Sequence, residues 1–170
     1  IFGVLMLVIV GIGWAKPVPV TVQNLRDPKK DMIWVSIAGP ATNIALALLS
    51  ALLLRLLLFS PDIAKSAGFI LQPLSYMAAF SIYINLLLAF FNMIPIPPLD
   101  GGRVMMGILP YNQARALGRI EPYGMILIIL LVFFTPVFQY VLSPMLLFGT
   151  KLLAGPYSGL VFKAATFRVM

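Results

Sequence analysis

The residues best suited to chemistry gather in one short stretch, FNMIPIPPLDGGR at positions 91–103. Pro95, Pro97 and Pro98 cannot continue a helix, because each lacks an N–H and disfavours a helical predecessor. Gly101 and Gly102 then allow close backbone approach or positive φ. The Asp100 carboxylate is therefore expected on a rigid, non-helical turn at the end of a hydrophobic run. Irregular backbone at membrane depth is tolerated only when buried in protein or lining a wet cavity. An ionisable group there is a functional-site hypothesis by default. The competing role for Asp100 is the N-cap of a helix from Gly101 through Met106, and the two roles are compatible.

A second cluster is AGPATN at 38–43. Pro40 can kink a helix, and Gly39 between Ala38 and Ala41 permits tight helix packing. Asn43 puts an amide inside an apolar run, as Asn85 and Asn92 do in the run before the proline turn. The competing reading for each asparagine is an interhelical hydrogen bond worth about 1 kcal/mol. The sequence contains no Cys and no His, which rules out disulfides and thiolate or imidazole metal ligands within it. It has no Gly-rich phosphate loop and no interleaving of basic and aromatic residues, so nucleic acid is not an expected partner.

The stretches GWAKPVPV at 13–20, AGPATN at 38–43 and NLLLAFFNMIPIPPLDGGR at 85–103 resemble the site-2 protease family of intramembrane zinc metalloproteases. The resemblance implies Zn(2+) as cofactor and transmembrane proteins as substrates. It makes Asp100 the third zinc ligand, and gives Asn43 a catalytic part in binding substrate or stabilising the oxyanion. Gly39, Pro40, Asn92, Pro95, Pro97, Pro98, Gly101 and Gly102 would shape that site. The family's His-Glu-x-x-His helix, which holds the metal and the general base, has no counterpart here. A catalytic zinc needs about three protein ligands, and Asp100 is one. The chain as given is expected to be catalytically incomplete and to bind zinc weakly alone. It opens at Ile1 inside an apolar run without an initiator Met, so the missing helix is expected upstream. The alternatives are a non-catalytic pseudoprotease that binds membrane helices, or a transporter subunit. Helices broken by Gly and Pro also mark transporter sites, although no inverted second half is visible.

The elements that must position these residues are membrane helices. Hydrophobic residues make up 61% of the 170, charged residues only 10%, and the mean hydropathy is +1.03. About a quarter of a soluble domain is charged. Four apolar blocks, at 1–14, 32–59, 69–94 and 123–153, predict an all-α polytopic bundle of about four to five spans, since one crossing takes roughly 20 residues. Alternating strands of a membrane barrel are absent. The fourth block contains Pro136 and Pro144, and is read either as one kinked helix or as two segments. Residues 1–155 form the expected transmembrane core and 156–170 an interfacial or cytoplasmic tail. PVPVTV at 17–22 suits an extended edge that pairs with an unwound substrate strand. Over 111–120, Ala114, Leu117 and Ile120 share one helical face, with Arg115 and Arg119 on another. That pattern fits an interfacial or a solvated surface helix.

Charge placement predicts orientation. The loop 15–31 carries Lys16, Arg26, Lys29 and Lys30, and the loop 95–122 carries Arg103, Arg115 and Arg119. The short loop between blocks two and three has only Lys65, with Arg55 deeper in the preceding run. The excess of Lys and Arg places both basic loops in the cytoplasm, in a multi-pass protein of a bacterial inner membrane. The lipid bilayer is thus a partner, and the sequence assigns no oligomeric state.

Overall fold

The computed structural model describes residues 27–59 and 68–166, and its framework is an antiparallel helix pair. Helix α1 is Pro28–Leu57. The Asp27 carboxylate caps it by accepting from the Lys30 amide at 3.4 Å, and the Asp27 amide donates back to Asp31 Oδ2 at 3.2 Å. Pro28 fills the first turn, where its missing N–H costs nothing. The Lys30 amide also holds the Asp27 carboxyl below the usual carboxylate range. Pro40 lies inside α1 without ending it.

Helix α2, Gly68–Asn92, packs on α1 through Ala47, Ala51 and Leu54 against Ala78, Ala79, Ile82 and Leu86. Small residues let two membrane helices approach closely where no hydrophobic drive separates protein from lipid. The Ser50 and Ser81 hydroxyls meet across this seam at 2.8 Å. Asn85 donates to the Ser81 carbonyl at 2.8 Å and to its hydroxyl at 3.2 Å.

After Asn92 the chain turns through the prolines, with a cis Pro97–Pro98 bond. It re-enters helix as α3, Asp100–Ile108. This helix folds back antiparallel along the first turns of α1. Asp100 lies beside Gly39, Gly107 beside Ile33, and Lys29 Nζ donates to the Leu109 carbonyl at 2.6 Å. Next come α4, Tyr111–Gly118, a 3-10 turn Glu121–Tyr123 and α5, Gly124–Phe134. The α4 and α5 segments are bent by 79°.

Thr135 ends α5 in an extended conformation, φ −125° and ψ 151°, the preference of a residue before proline. A π-helical turn, Phe138–Leu142, leads into α6, Ser143–Ala154. Gly155, at φ 56°, ends α6 in the left-handed region that glycine tolerates. Helix α7, Ser158–Ala165, follows a 3-10 turn Gly155–Tyr157. Leu146, Thr150, Ala154, Val161 and Ala164 are all buried.

All described residues with regular structure are helical. Three helices are long and apolar enough to cross a membrane, Lys29–Leu57, Gly68–Asn92 and Phe138–Ala165, and the bent pair makes a fourth if counted as one span. The expected four to five spans thus become three to four among the described residues. The block at 1–14 and the extended segment at 17–22 lie outside them. The fourth block divides at Pro136. The 11 residues of α5 reach only about 16 Å, half a bilayer core. The span after it runs on to Ala165. Residues 158–165 bury Val161 and Ala164 in the core.

Candidate functional site

The site is built where the proline turn meets α1. A Cβ on Gly101 would run into the backbone of Met93 and Ile94, one on Gly102 into Ile96 and Pro97, and one on Gly124 into the Pro97 carbonyl. These glycines let the first turn of α3 and the first turn of α5 stack directly on the turn backbone, with Pro97 fully buried at its centre. The turn is closed by Ile96 N–H to Ile94 at 2.8 Å and Leu99 N–H to Ile96 at 3.0 Å.

Asp100 is the first residue of α3. Leu99 occupies the cap position, with no side-chain cap bond. The helix therefore begins one residue before Gly101 and does not use Asp100 as its cap. The half-buried carboxylate turns instead toward α1, where Oδ2 lies 3.1 Å from the position a Cβ would take on Gly39. Asp100 follows the second span in sequence and lies one turn before Arg103 on α3. Arg103 itself faces Glu121 at 3.9 Å, which ties α3 to the turn before α5.

The asparagines separate into two kinds. Asn85 donates to the carbonyl and hydroxyl of Ser81, one turn earlier on α2, so its bonds lie within the helix and it joins the seam only through the Ser81 hydroxyl. The side-chain amides of Asn43 and Asn92 have no hydrogen-bond partner among the described residues. Asn43 shares the inward stripe of α1 with the buried Ser36, Pro40, Ala47, Ala51 and Leu54, spaced three and four residues apart. The Ser50–Ser81 pair fixes an antiparallel register that sets Asn92 level with Gly39, and Asn43 lies about one turn further along α1. Gly39, Asn43, Asn92 and Asp100 thus gather at one end of the bundle.

Two buried hydroxyls, those of Ser36 and Thr150, are without a partner among the described residues, and Ser36 is the one on the stripe of the site. Ser36 is 2% exposed and escaped the sequence reading. It lies one turn before Pro40 on the same stripe, and the spacing of four to Pro40 was its only signal.

For a metal, Asp100 offers a single carboxylate. The sequence supplies no imidazole or thiolate, and no group of three ligating side chains occurs among the described residues. A catalytic zinc needs about three protein ligands, so these residues do not by themselves make a zinc site.

Comparison with known proteins gives a consistent answer. Peptidase family M50 matches residues 59–135. Three similar proteins are each named a putative zinc metalloprotease. YwhC of Bacillus subtilis is 37% identical over 145 residues, 85% of this chain and 65% of the relative. MJ0611 of Methanocaldococcus jannaschii is 41% identical over 71 residues, 42% of this chain and 31% of the relative. A Streptococcus pneumoniae protein, spr0242, is 32% identical over 112 residues, 56% of this chain and 25% of the relative. The chain therefore spans just under two thirds of the first relative and a third or less of the other two. No solved structure matches significantly.

Proposed function

Because the chain belongs to peptidase family M50, the site-2 protease family, we propose that it forms the carboxylate side of an intramembrane zinc metallopeptidase active site. One observation carries the reading: the Asp100 carboxylate is seated against Gly39 of α1, joining the two motifs that are 61 residues apart in sequence. Gly39 is ten residues beyond the start of the span at Lys29, about 15 Å along the helix. A peptide bond cleaved there is membrane-embedded, which makes transmembrane proteins the substrate class.

In this proposal Asp100 contributes one ligand, and the remaining ligands and the general base come from a segment beyond this sequence. The proline turn and Gly101–Gly102 hold the carboxylate on rigid backbone. The free amide of Asn43 donates to the substrate carbonyl as it gains negative charge, a contact whose loss costs about 3 kcal/mol in hydrolases.

The test is Asp100→Asn in the full-length protein, with zinc per chain and cleavage of a transmembrane reporter measured in liposomes. We expect zinc retention to fall at least tenfold and cleavage to disappear, with the unfolding temperature little changed. Unaltered zinc content and cleavage would remove Asp100 from the site. A wild-type protein that captures transmembrane helices without zinc or cleavage would favour a scaffold.

A further inference from the structure

An apolar cavity of about 370 Å³ opens between the proline turn, the underside of α4 and one face of α5. Its wall includes Ile96, Pro97, Leu117, Ile120, Leu130 and Phe134. The wall has almost nothing to offer a peptide backbone. Pro95 and Pro97 carry no N–H, and the Ile96 and Ile120 amides already donate to Ile94 and Leu117. Thr135, whose side chain is the one hydroxyl in the lining, gives its proton to the Leu131 carbonyl. Such a surface accepts hydrocarbon and leaves peptide groups unpaired.

The other face of α4 is cationic. Arg115 and Arg119 are exposed and make no ion pair among the described residues, while Arg103 is engaged by Glu121. The 79° bend puts α4 in the membrane plane when α5 follows the membrane normal. Tyr111 and Tyr123 are 75% and 65% exposed and bracket the helix, as aromatics do at the headgroup level. Leu117 of α4 and Ile120 just beyond it line the cavity, and Arg119, the C-cap residue of α4, sits between them in sequence.

We propose that this is a binding site for an anionic phospholipid, with an acyl chain in the cavity beneath α4 and the headgroup phosphate on Arg119 and Arg115. The two halves match one amphipathic ligand, and neither half alone selects it. An apolar cavity takes any hydrocarbon, and a basic helix takes any anion. Its wall shares the prolines of the turn with the candidate active site, but includes neither Asp100 nor Asn43.

Native mass spectrometry of the full-length protein, equilibrated with equal phosphatidylglycerol and phosphatidylcholine of identical chains, tests the site. Each cation near a membrane surface contributes on the order of fivefold in affinity, so wild type should retain phosphatidylglycerol at least tenfold over phosphatidylcholine. The double change Arg115→Gln with Arg119→Gln should abolish the preference while leaving some lipid bound. Leu130→Trp, which fills the cavity, should lower retention of both lipids. Leu127→Phe serves as a milder second variant, with thermal unfolding followed to confirm the fold. Equal retention of the two lipids by wild type would overturn the proposal. So would a preference that survives the arginine changes, or retention that survives in folded cavity-filling variants.

Discussion

Gly39 and Asp100 define the candidate site because a hydrogen in place of a side chain lets the carboxylate lie against α1. A Cβ there would meet Oδ2 at 3.1 Å, tight enough to displace the carboxylate by a few tenths of an ångström while leaving the backbone in place. Gly39→Ala should therefore lower cleavage by the full-length protein about tenfold with little change in unfolding temperature, since small misplacements at a reacting centre are costly. Gly101→Ala should behave oppositely and compromise folding, because its Cβ meets the backbone of Met93 and Ile94, which cannot yield. Thermal unfolding and reporter cleavage, measured side by side, separate the two. Asn43→Ala removes no hydrogen bond among the described residues, so stability should hold while turnover falls by about 10² to 10³. An unfolding temperature that drops with activity would make Asn43 a packing residue. At this scale the turn was legible, because proline and glycine act on their own backbone. The seating of Asp100 on Gly39 was not, because packing of α3 on α1 brings together residues 61 positions apart.

Among the elements, the α1–α2 pair carries the site, and its polar seam is a single chain from Ser50 through Ser81 to Asn85. Ser81→Ala removes the cross-seam partner of Ser50 and one acceptor of Asn85, leaving Ser50 its bond to the Leu46 carbonyl and Asn85 its bond to the Ser81 carbonyl. The expected cost is about 1 kcal/mol, the usual scale of such bonds between membrane helices, read from reversible unfolding in detergent. A cost near zero would mean that the alanine stripe alone sets the pairing. The prolines of the fourth block show why element boundaries resisted the sequence. Pro136 and Pro144 look alike as helix breakers, yet only Pro136 breaks. Pro144 falls in the first turn of α6, where a missing N–H is harmless. Pro136 forces Thr135 into the extended conformation that ends α5. The helical run past Gly155 is short and mildly basic, and its place in the bundle comes from burying Val161 and Ala164, which depends on the neighbouring helices.

For the whole molecule, the antiparallel pair fixes which ends share a side of the membrane. Lys29, Lys30, Arg103, Arg115 and Arg119 lie at the end where α1 begins and α3 and α4 pack. The opposite end carries Arg55, which donates to the Leu153 carbonyl at 2.8 Å, Tyr157, whose hydroxyl donates to the Leu58 carbonyl at 3.3 Å, and Lys151 and Lys163 of α6 and α7. The excess among the described residues is thus five cations to three. Charge asymmetry of this kind orients membrane proteins with the basic side in the cytoplasm. The sequence has no cysteine, so introduced thiols can be labelled without background. Gln113→Cys reports the basic end from exposed α4, and Phe59→Cys reports the other, where the side chain is 85% exposed. In intact cells a membrane-impermeant maleimide should label Phe59→Cys, and should reach Gln113→Cys only after permeabilisation. The opposite pattern would reverse the orientation. Asp100 packs at the basic end, so reversal would also move the candidate site to the outer leaflet. A substrate would then be cut near its external boundary, and the arginines of α4 would meet the outer headgroups. Labelling of both positions in intact cells would instead refute the antiparallel crossing from which the register of Gly39, Asn92 and Asp100 follows.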